Sequence, residues 1–99
     1  MSDVFAALGD PTRRVVMERV ADGSATATEI AADLPVTRQA VAKHLAVLED
    51  AGLVRAERAG RERRFSPTPA PLGEAISWMA SVGGQWDDRL AALQRYVAR

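Results

Sequence analysis

Over most of the chain the apolar positions recur at steps of three and four rather than two, a spacing that predicts helices. Val4, Phe5 and Leu8 group this way behind Asp3 and stop at Gly9, giving a first helix too short to be stable alone. Asp10-Pro11 is an N-cap followed by proline at the first helical position; Val15, Val16, Arg19 and Val20 then carry a second helix to Asp22-Gly23. Thr26-Ala27-Thr28-Glu29 has the Thr-x-x-Glu form of a capping box, in which hydroxyl and carboxylate each satisfy a free backbone N–H. It opens a third helix through Ile30 to Leu34. Pro35 ends that helix, because the residue before a proline is pushed out of the helical region. Thr37 caps a fourth helix whose Val41, Leu45 and Leu48 lie on one face and which stops at Ala51-Gly52. Residues 27 to 51 therefore read as helix, tight turn, helix.

From Leu53 the pattern changes. Leu-Val-Arg-Ala-Glu-Arg, then Ala59-Gly60-Arg61, then Glu62 to Ser66 predict two short strands joined by a glycine turn, a hairpin over 53 to 66. Thr68-Pro69 is another cap with proline at the first helical position, and residues 69 to 99 can form one long helix. In it Leu72, Ile76, Met79, Gly83, Trp86, Leu90, Leu93 and Val97 alternate in steps of four and three, a heptad seam. Gly83-Gly84 interrupts the seam, and marks either a kink or a close approach of two backbones. The predicted fold is mostly α with a small β-hairpin: one winged helix-turn-helix domain over residues 1 to 99 with a long C-terminal dimerisation helix.

Charge and composition narrow the chemistry. The 99 residues suffice for one modest core. The 13 basic and 13 acidic side chains cancel, so only their distribution is informative. Residues 1 to 36 net −3, residues 37 to 64 net +3 and the remainder nets zero, which concentrates a basic surface in the middle third. Twelve of the cations are Arg, an excess that a GC-rich coding genome produces as readily as phosphate contact does. The chain has no cysteine, hence no thiolate metal cluster and no disulfide. Its single histidine, His44, cannot build a multi-histidine metal site. No apolar run approaches membrane-spanning length and no signal peptide is visible, so neither a membrane association nor export is expected and the cytoplasm is the expected compartment. Without a nucleophile–base set or a glycine-rich phosphate loop, no enzymatic activity, cofactor or metal is predicted.

A helix-turn-helix followed by a basic hairpin suits double-stranded DNA, the second helix entering the major groove and the wing reaching phosphates or the minor groove. With Val41, Leu45 and Leu48 turned inward, the fourth helix exposes Arg38, Gln39, Ala42 and Lys43. Arg bonds guanine bidentately, Gln reads adenine, and Lys reaches guanine or phosphate. Thr37 and the free N–H groups beside it suit a phosphate, and His44 a helix-face hydrogen bond or a phosphate. Any surface helix carries some such residues; the wing is more telling, with Arg55, Arg58, Arg61, Arg63 and Arg64 within ten positions. Alternation places Arg61 and Arg63 on the side of Phe65 and Arg64 on the other. The expected DNA-binding set is Thr37, Arg38, Gln39, Lys43, His44, Arg58, Arg61, Arg63 and Arg64. Trp78 and Trp86 suit the dimer seam, packing against the first helix, or the wall of a small effector pocket.

Three stretches carry a resemblance: Phe5-Ala6-Ala7-Leu8-Gly9-Asp10-Pro11-Thr12-Arg13-Arg14, then Val41-Ala42-Lys43-His44-Leu45-Ala46-Val47-Leu48-Glu49-Asp50-Ala51-Gly52-Leu53-Val54, then the Gly60-Arg61 wing. In this order they resemble the ArsR family of bacterial winged helix-turn-helix repressors. The pattern Trp78…Trp86-Asp87-Asp88-Arg89-Leu90…Leu93 is similar to the branch without metal-binding cysteines. The resemblance implies a homodimer joined through the first and last helices, repressing promoters and released by a signal. Where arsenic-sensing members carry cysteines in the third helix, this chain reads Glu29-Ile30-Ala31-Ala32-Asp33-Leu34; the paired histidines and acids of last-helix zinc sensors are also absent, so metal sensing does not transfer. Thr37 and Ala42 stand where many relatives have serines, which removes a hydroxyl at position 42.

The expected function is thus a sequence-specific, homodimeric repressor on a palindromic operator, with Val4, Phe5, Leu8, Met79, Trp86, Leu90, Leu93 and Val97 at the dimer interface and an unidentified effector as a further ligand. The alternative is a winged-helix interaction module that binds another protein through its last helix and lacks specific DNA affinity. It leaves the arginines of the wing without a purpose.

Overall fold

The computed structural model describes residues 2–68 and 70–97, without the side chains of Ser2, Trp86, Arg89, Leu90, Leu93, Gln94, Tyr96 and Val97. The elements run α1 (Ser2–Leu8), α2 (Pro11–Asp22), β1 (Ala25–Thr26), α3 (Ala27–Asp33), α4 (Arg38–Asp50), β2 (Val54–Ala59), β3 (Glu62–Pro67) and α5 (Ala70–Val97). Each predicted helix and the hairpin are present. One element was not anticipated: β1 pairs antiparallel with β3, Ala25 opposite Phe65 and Thr26 opposite Arg64, so the wing is a three-stranded sheet of order β1-β3-β2.

Caps set the element ends. Asp10 Oδ1 accepts from the Arg13 N–H at 3.0 Å and starts α2. The α1 carbonyls left free at its C-terminus are met from α2: Arg13 donates to the Ala7 carbonyl at 3.1 Å and Arg14 to the Leu8 carbonyl at 2.9 Å. Two consecutive arginines thereby tie the end of α1 to the start of α2. The capping box of α3 is complete, Thr26 Oγ1 accepting from the Glu29 N–H and Glu29 Oε1 from the Thr26 N–H. At the end of α4, Gly52 adopts φ +76; its N–H donates to the Glu49 carbonyl and that of Leu53 to the Leu48 carbonyl, both at 2.9 Å. This is a Schellman closure, with the buried Leu48 and Leu53 as its hydrophobic pair.

The core gathers Val16, Met17 and Val20 of α2, Ile30 of α3, Val41, Leu45 and Leu48 of α4, then Leu53, Val54 and Phe65 of the wing, and Val4 and Ala7 of α1. On α2 the buried stripe includes Met17, while Val15 is 42% exposed; the helix is rotated by part of a turn from the face its valines suggest.

The last helix departs from this packing. Its first turns dock through Leu72 and Ala75, after which Ile76, Trp78 and Met79 are exposed. The helix continues through Gly83 and Gly84, and a methyl group added at either would meet nothing within 4 Å among the described residues. The radius of gyration is 18.3 Å, against about 13 Å for a compact chain of this length.

Two capping carboxyls contribute to the pH dependence of this scaffold. The backbone N–H of Arg13 holds Asp10 below the ordinary carboxyl range, and that of Thr26 does the same for Glu29. A folded-state value lowered in this way contributes stability at pH above the unfolded carboxyl range, and the contribution is lost as pH falls through the depressed folded values. The urea midpoint should therefore drop below about pH 4, and the drop should be shallower in Asp10→Asn/Glu29→Gln, which keeps polar caps without titratable ones. Parallel midpoint curves for the two proteins would contradict this.

Candidate nucleic-acid interface

Burial sets how α4 is turned. Val41, Leu45 and Leu48 are fully occluded, which at about 100° per residue directs Gln39, Lys43 and Ala46 to the opposite side; all three are exposed. Thr37 starts the helix by accepting from the Ala40 N–H at 3.1 Å and remains exposed beside the open helix N-terminus, where the positive end of the helix dipole favours an anion.

The wing stands beside this face. Ala59 pairs with Glu62, which leaves Gly60-Arg61 as a two-residue turn. Gly60 takes φ +64 and no non-glycine residue described has positive φ, the signature of a turn needing glycine first. Arg61 is consequently exposed at the tip, without a carboxylate partner among the described residues. A groove of about 290 Å³ separates wing from helix, with Ala42, Ala46 and Phe65 among its lining residues and Arg38, Arg61 and Arg63 among its charged ones.

Ion pairs and hydrogen bonds to the helices engage part of the wing's charge. Arg63 donates to Glu49 at 2.7 Å, and its guanidinium lies 5.5 Å from the centre of the Phe65 ring. Arg64 donates to Glu29 at 2.8 Å and to the Ser24 carbonyl at 2.9 Å. Arg38 Nε donates to Thr28 Oγ1 at 3.0 Å, Thr28 in turn donates to Glu62, and Arg38 Nη2 stands 3.6 Å from the same carboxylate. Arg58 and Arg63 are directly opposite across the hairpin. Like charges so placed repel, and the Glu49 carboxylate offsets that of Arg63.

A family model described as a helix-turn-helix domain matches residues 8–57. The transcriptional repressor SdpR of Bacillus subtilis is 30% identical over 90 residues, 91% of this chain and 100% of that protein. The uncharacterized HTH-type regulator YuzN of the same species is 46% identical over 76 residues, 70% of this chain and 83% of its own. Among solved structures, an ArsR-like transcriptional regulator from Rhodococcus sp. RHA1 superposes with a TM-score of 0.83 at 39% identity, covering 95% of this chain and 89% of that one. The chain belongs to the ArsR family of winged helix-turn-helix regulators.

As an ArsR-family protein it is a DNA-binding transcriptional regulator, and its family is one of regulators rather than enzymes. Within this regulator the expected contact residues separate into groups. Gln39, Lys43, Arg58 and Arg61 lie exposed on the α4–wing face, with Thr37 at its edge. Arg38 and Arg63 are on that face but engaged internally, and Arg64 is turned to α3 and Ser24. His44 does not share the face. One residue after Lys43, it is turned about 100° away and half-buried, with Nδ1 unpartnered among the described residues. Its expected DNA contact is corrected to a position against α2. Glu29, Glu49, Thr28 and Glu62, which hold the arginines, were not foreseen; Arg63–Glu49 spans 14 positions and Arg64–Glu29 spans 35.

The dimer residues separate as well. Val4 is 5% exposed and belongs to the protomer's own core, which corrects its assignment to a seam; Leu8 packs partly against that core. Phe5 meets Trp78 edge to face, ring centres 5.6 Å apart, and both stay partly open, as does Met79. The side chains of Trp86, Leu90, Leu93 and Val97 lie outside the described residues. No helix among the described residues is long and apolar enough to cross a membrane.

Because Thr37 caps the helix that carries the exposed face, Thr37→Ala should lower the unfolding free energy by about 1 kcal/mol, and Thr37→Ser by much less. Equal stabilities of the wild type and the alanine variant in urea unfolding would show that the cap is not engaged.

Proposed function

We propose that this regulator acts as a homodimeric repressor that places two copies of α4 in successive major grooves of a palindromic operator, about 34 Å apart. The observation that carries the reading is the shared exposure of Gln39 and Lys43 on α4 beside Arg58 and Arg61 on the wing. Gln39 and Lys43 offer donors and an acceptor to base edges, whereas Arg61 at the tip offers a charge to the backbone. Phosphate neutralisation supplies most of the affinity and makes it fall with salt.

Support for the dimer comes from the protomer's shape and surface. Its accessible area of 6786 Å² at 10.6 kDa exceeds the roughly 5,500 Å² of a compact monomer of that mass. Ile76 is 60% exposed, Trp78 48% and Met79 47%, a strip of apolar side chains that a second copy would remove from water. One structural neighbour, from Mycobacterium bovis, is described as a homodimeric winged helix-turn-helix DNA-binding domain; it is 20% identical, with a TM-score of 0.67. SdpR is named a repressor, and repression is proposed here on that likeness. A soluble protein confined to the cytoplasm accords with the same reading.

The test is fluorescence anisotropy against the protein's own upstream promoter and a scrambled duplex at two salt concentrations. Selective, salt-sensitive binding with two chains per site is expected. Arg61→Ala should weaken both duplexes alike and reduce the salt slope by about one, while Gln39→Ala should lose roughly 1 to 3 kcal/mol of discrimination at particular base pairs. Equal weak binding to both duplexes, or one chain per site, would overturn the reading.

A further inference from the structure

We propose that Glu62, on the wing, is a positioning residue for base readout by Arg38, holding one edge of its guanidinium so that the other edge meets a base pair. The proposal rests on the reading of α4 as the recognition helix. Three elements converge here: Thr28 from α3, Arg38 as the first residue of α4 and Glu62 as the first residue of β3. The bonds they make use a particular side of the arginine. Nε donates to Thr28 Oγ1 at 3.0 Å, Thr28 donates to Glu62 Oε1, and Nη2 lies 3.6 Å from that same oxygen.

Nε and Nη2 form the lateral edge of the planar fork. The end edge, Nη1 with Nη2, keeps the pair of donors that matches guanine O6 and N7. Arg38 is 60% exposed and Nη1 makes no hydrogen bond among the described residues, at the helix N-terminus, where recognition helices contact base edges. A long side chain held before binding loses less freedom on binding. Stability is a poor explanation for the cluster, because exposed ion pairs contribute little to it. Nor does the geometry suit a carboxylate that merely sequesters a cation: the closest partner of the guanidinium is the uncharged Thr28 hydroxyl, and Nη1 has no partner among the described residues.

The experiment enriches a pool of duplexes, randomised over about two helical turns, with the wild type, Arg38→Ala, Glu62→Gln, Thr28→Val and the Arg38→Ala/Glu62→Gln double variant, each verified as folded by its thermal transition. Glu62→Gln and Thr28→Val should flatten the preference at the same base positions as Arg38→Ala, by about five- to tenfold in relative enrichment. Glu62→Gln should add nothing once Arg38 is gone, and should bind scrambled duplex as tightly as the wild type or more so, since a negative charge has left the surface. A wild-type preference that survives Glu62→Gln, with affinity raised or lowered uniformly, would overturn the positioning role alone. A flat wild-type profile would overturn the recognition-helix reading and the proposal with it.

Discussion

Burial of Val41, Leu45 and Leu48 allows α4 a single rotation about its axis, and the proposed DNA-facing surface depends on that rotation. Each of these side chains is fully occluded, and each contributes roughly 1.5 to 3 kcal/mol relative to exposure. Turning the helix by one position would bring Ala42 and Ala46 inward and expose leucines. The energetic gap is therefore several kcal/mol, far more than the hydrogen bonds of Gln39 or Lys43 with water could offset. The outward presentation of Gln39 and Lys43 is in this sense a consequence of packing on the inside.

The wing is placed by the same apolar packing, supplemented by strand pairing. Phe65 anchors β3 in the core, and β1 pairs along its other edge. Around that anchor the arginines of the hairpin are shared between internal carboxylates and solvent: Arg63 and Arg64 are held, Arg61 is exposed at the tip, and Arg58 faces Arg63 across the strands. Exposed pairs are weak, so phosphate oxygens can compete for Arg63 at small cost. The wing is thus held in position by apolar packing while part of its charge remains exchangeable.

The helices were legible because their signals are local. Asp10-Pro11, the Thr26…Glu29 box, Thr37 and Ala51-Gly52 act within four residues of themselves, and the α4 seam is a strict three-and-four spacing. The β1 strand was not legible: two residues, Ala25 and Thr26, carry no alternation, and they become a strand only because β3 arrives beside them. The fates of Arg38, Arg63 and Arg64 were hidden for a similar reason, their partners lying far away in sequence. His44 sits on a helix whose inward positions were correctly read, yet its angular place, about 300° from Val41 by helical geometry, puts it beside α2 rather than in the groove. Val4 was assigned to the dimer interface because α1 offers too few turns to show which side it buries within its own protomer.

The central claim, that the outer face of α4 and the tip of the wing form one DNA-binding surface, is tested most directly by NMR titration of isotopically labelled protein with its upstream promoter duplex. The account predicts that backbone and side-chain resonances of residues 37–43 and 58–63 shift together and saturate at one stoichiometry, while those of α2 and of the His44 ring stay in place. Shifts confined to α2 or α5, with residues 37–43 unmoved, would contradict it.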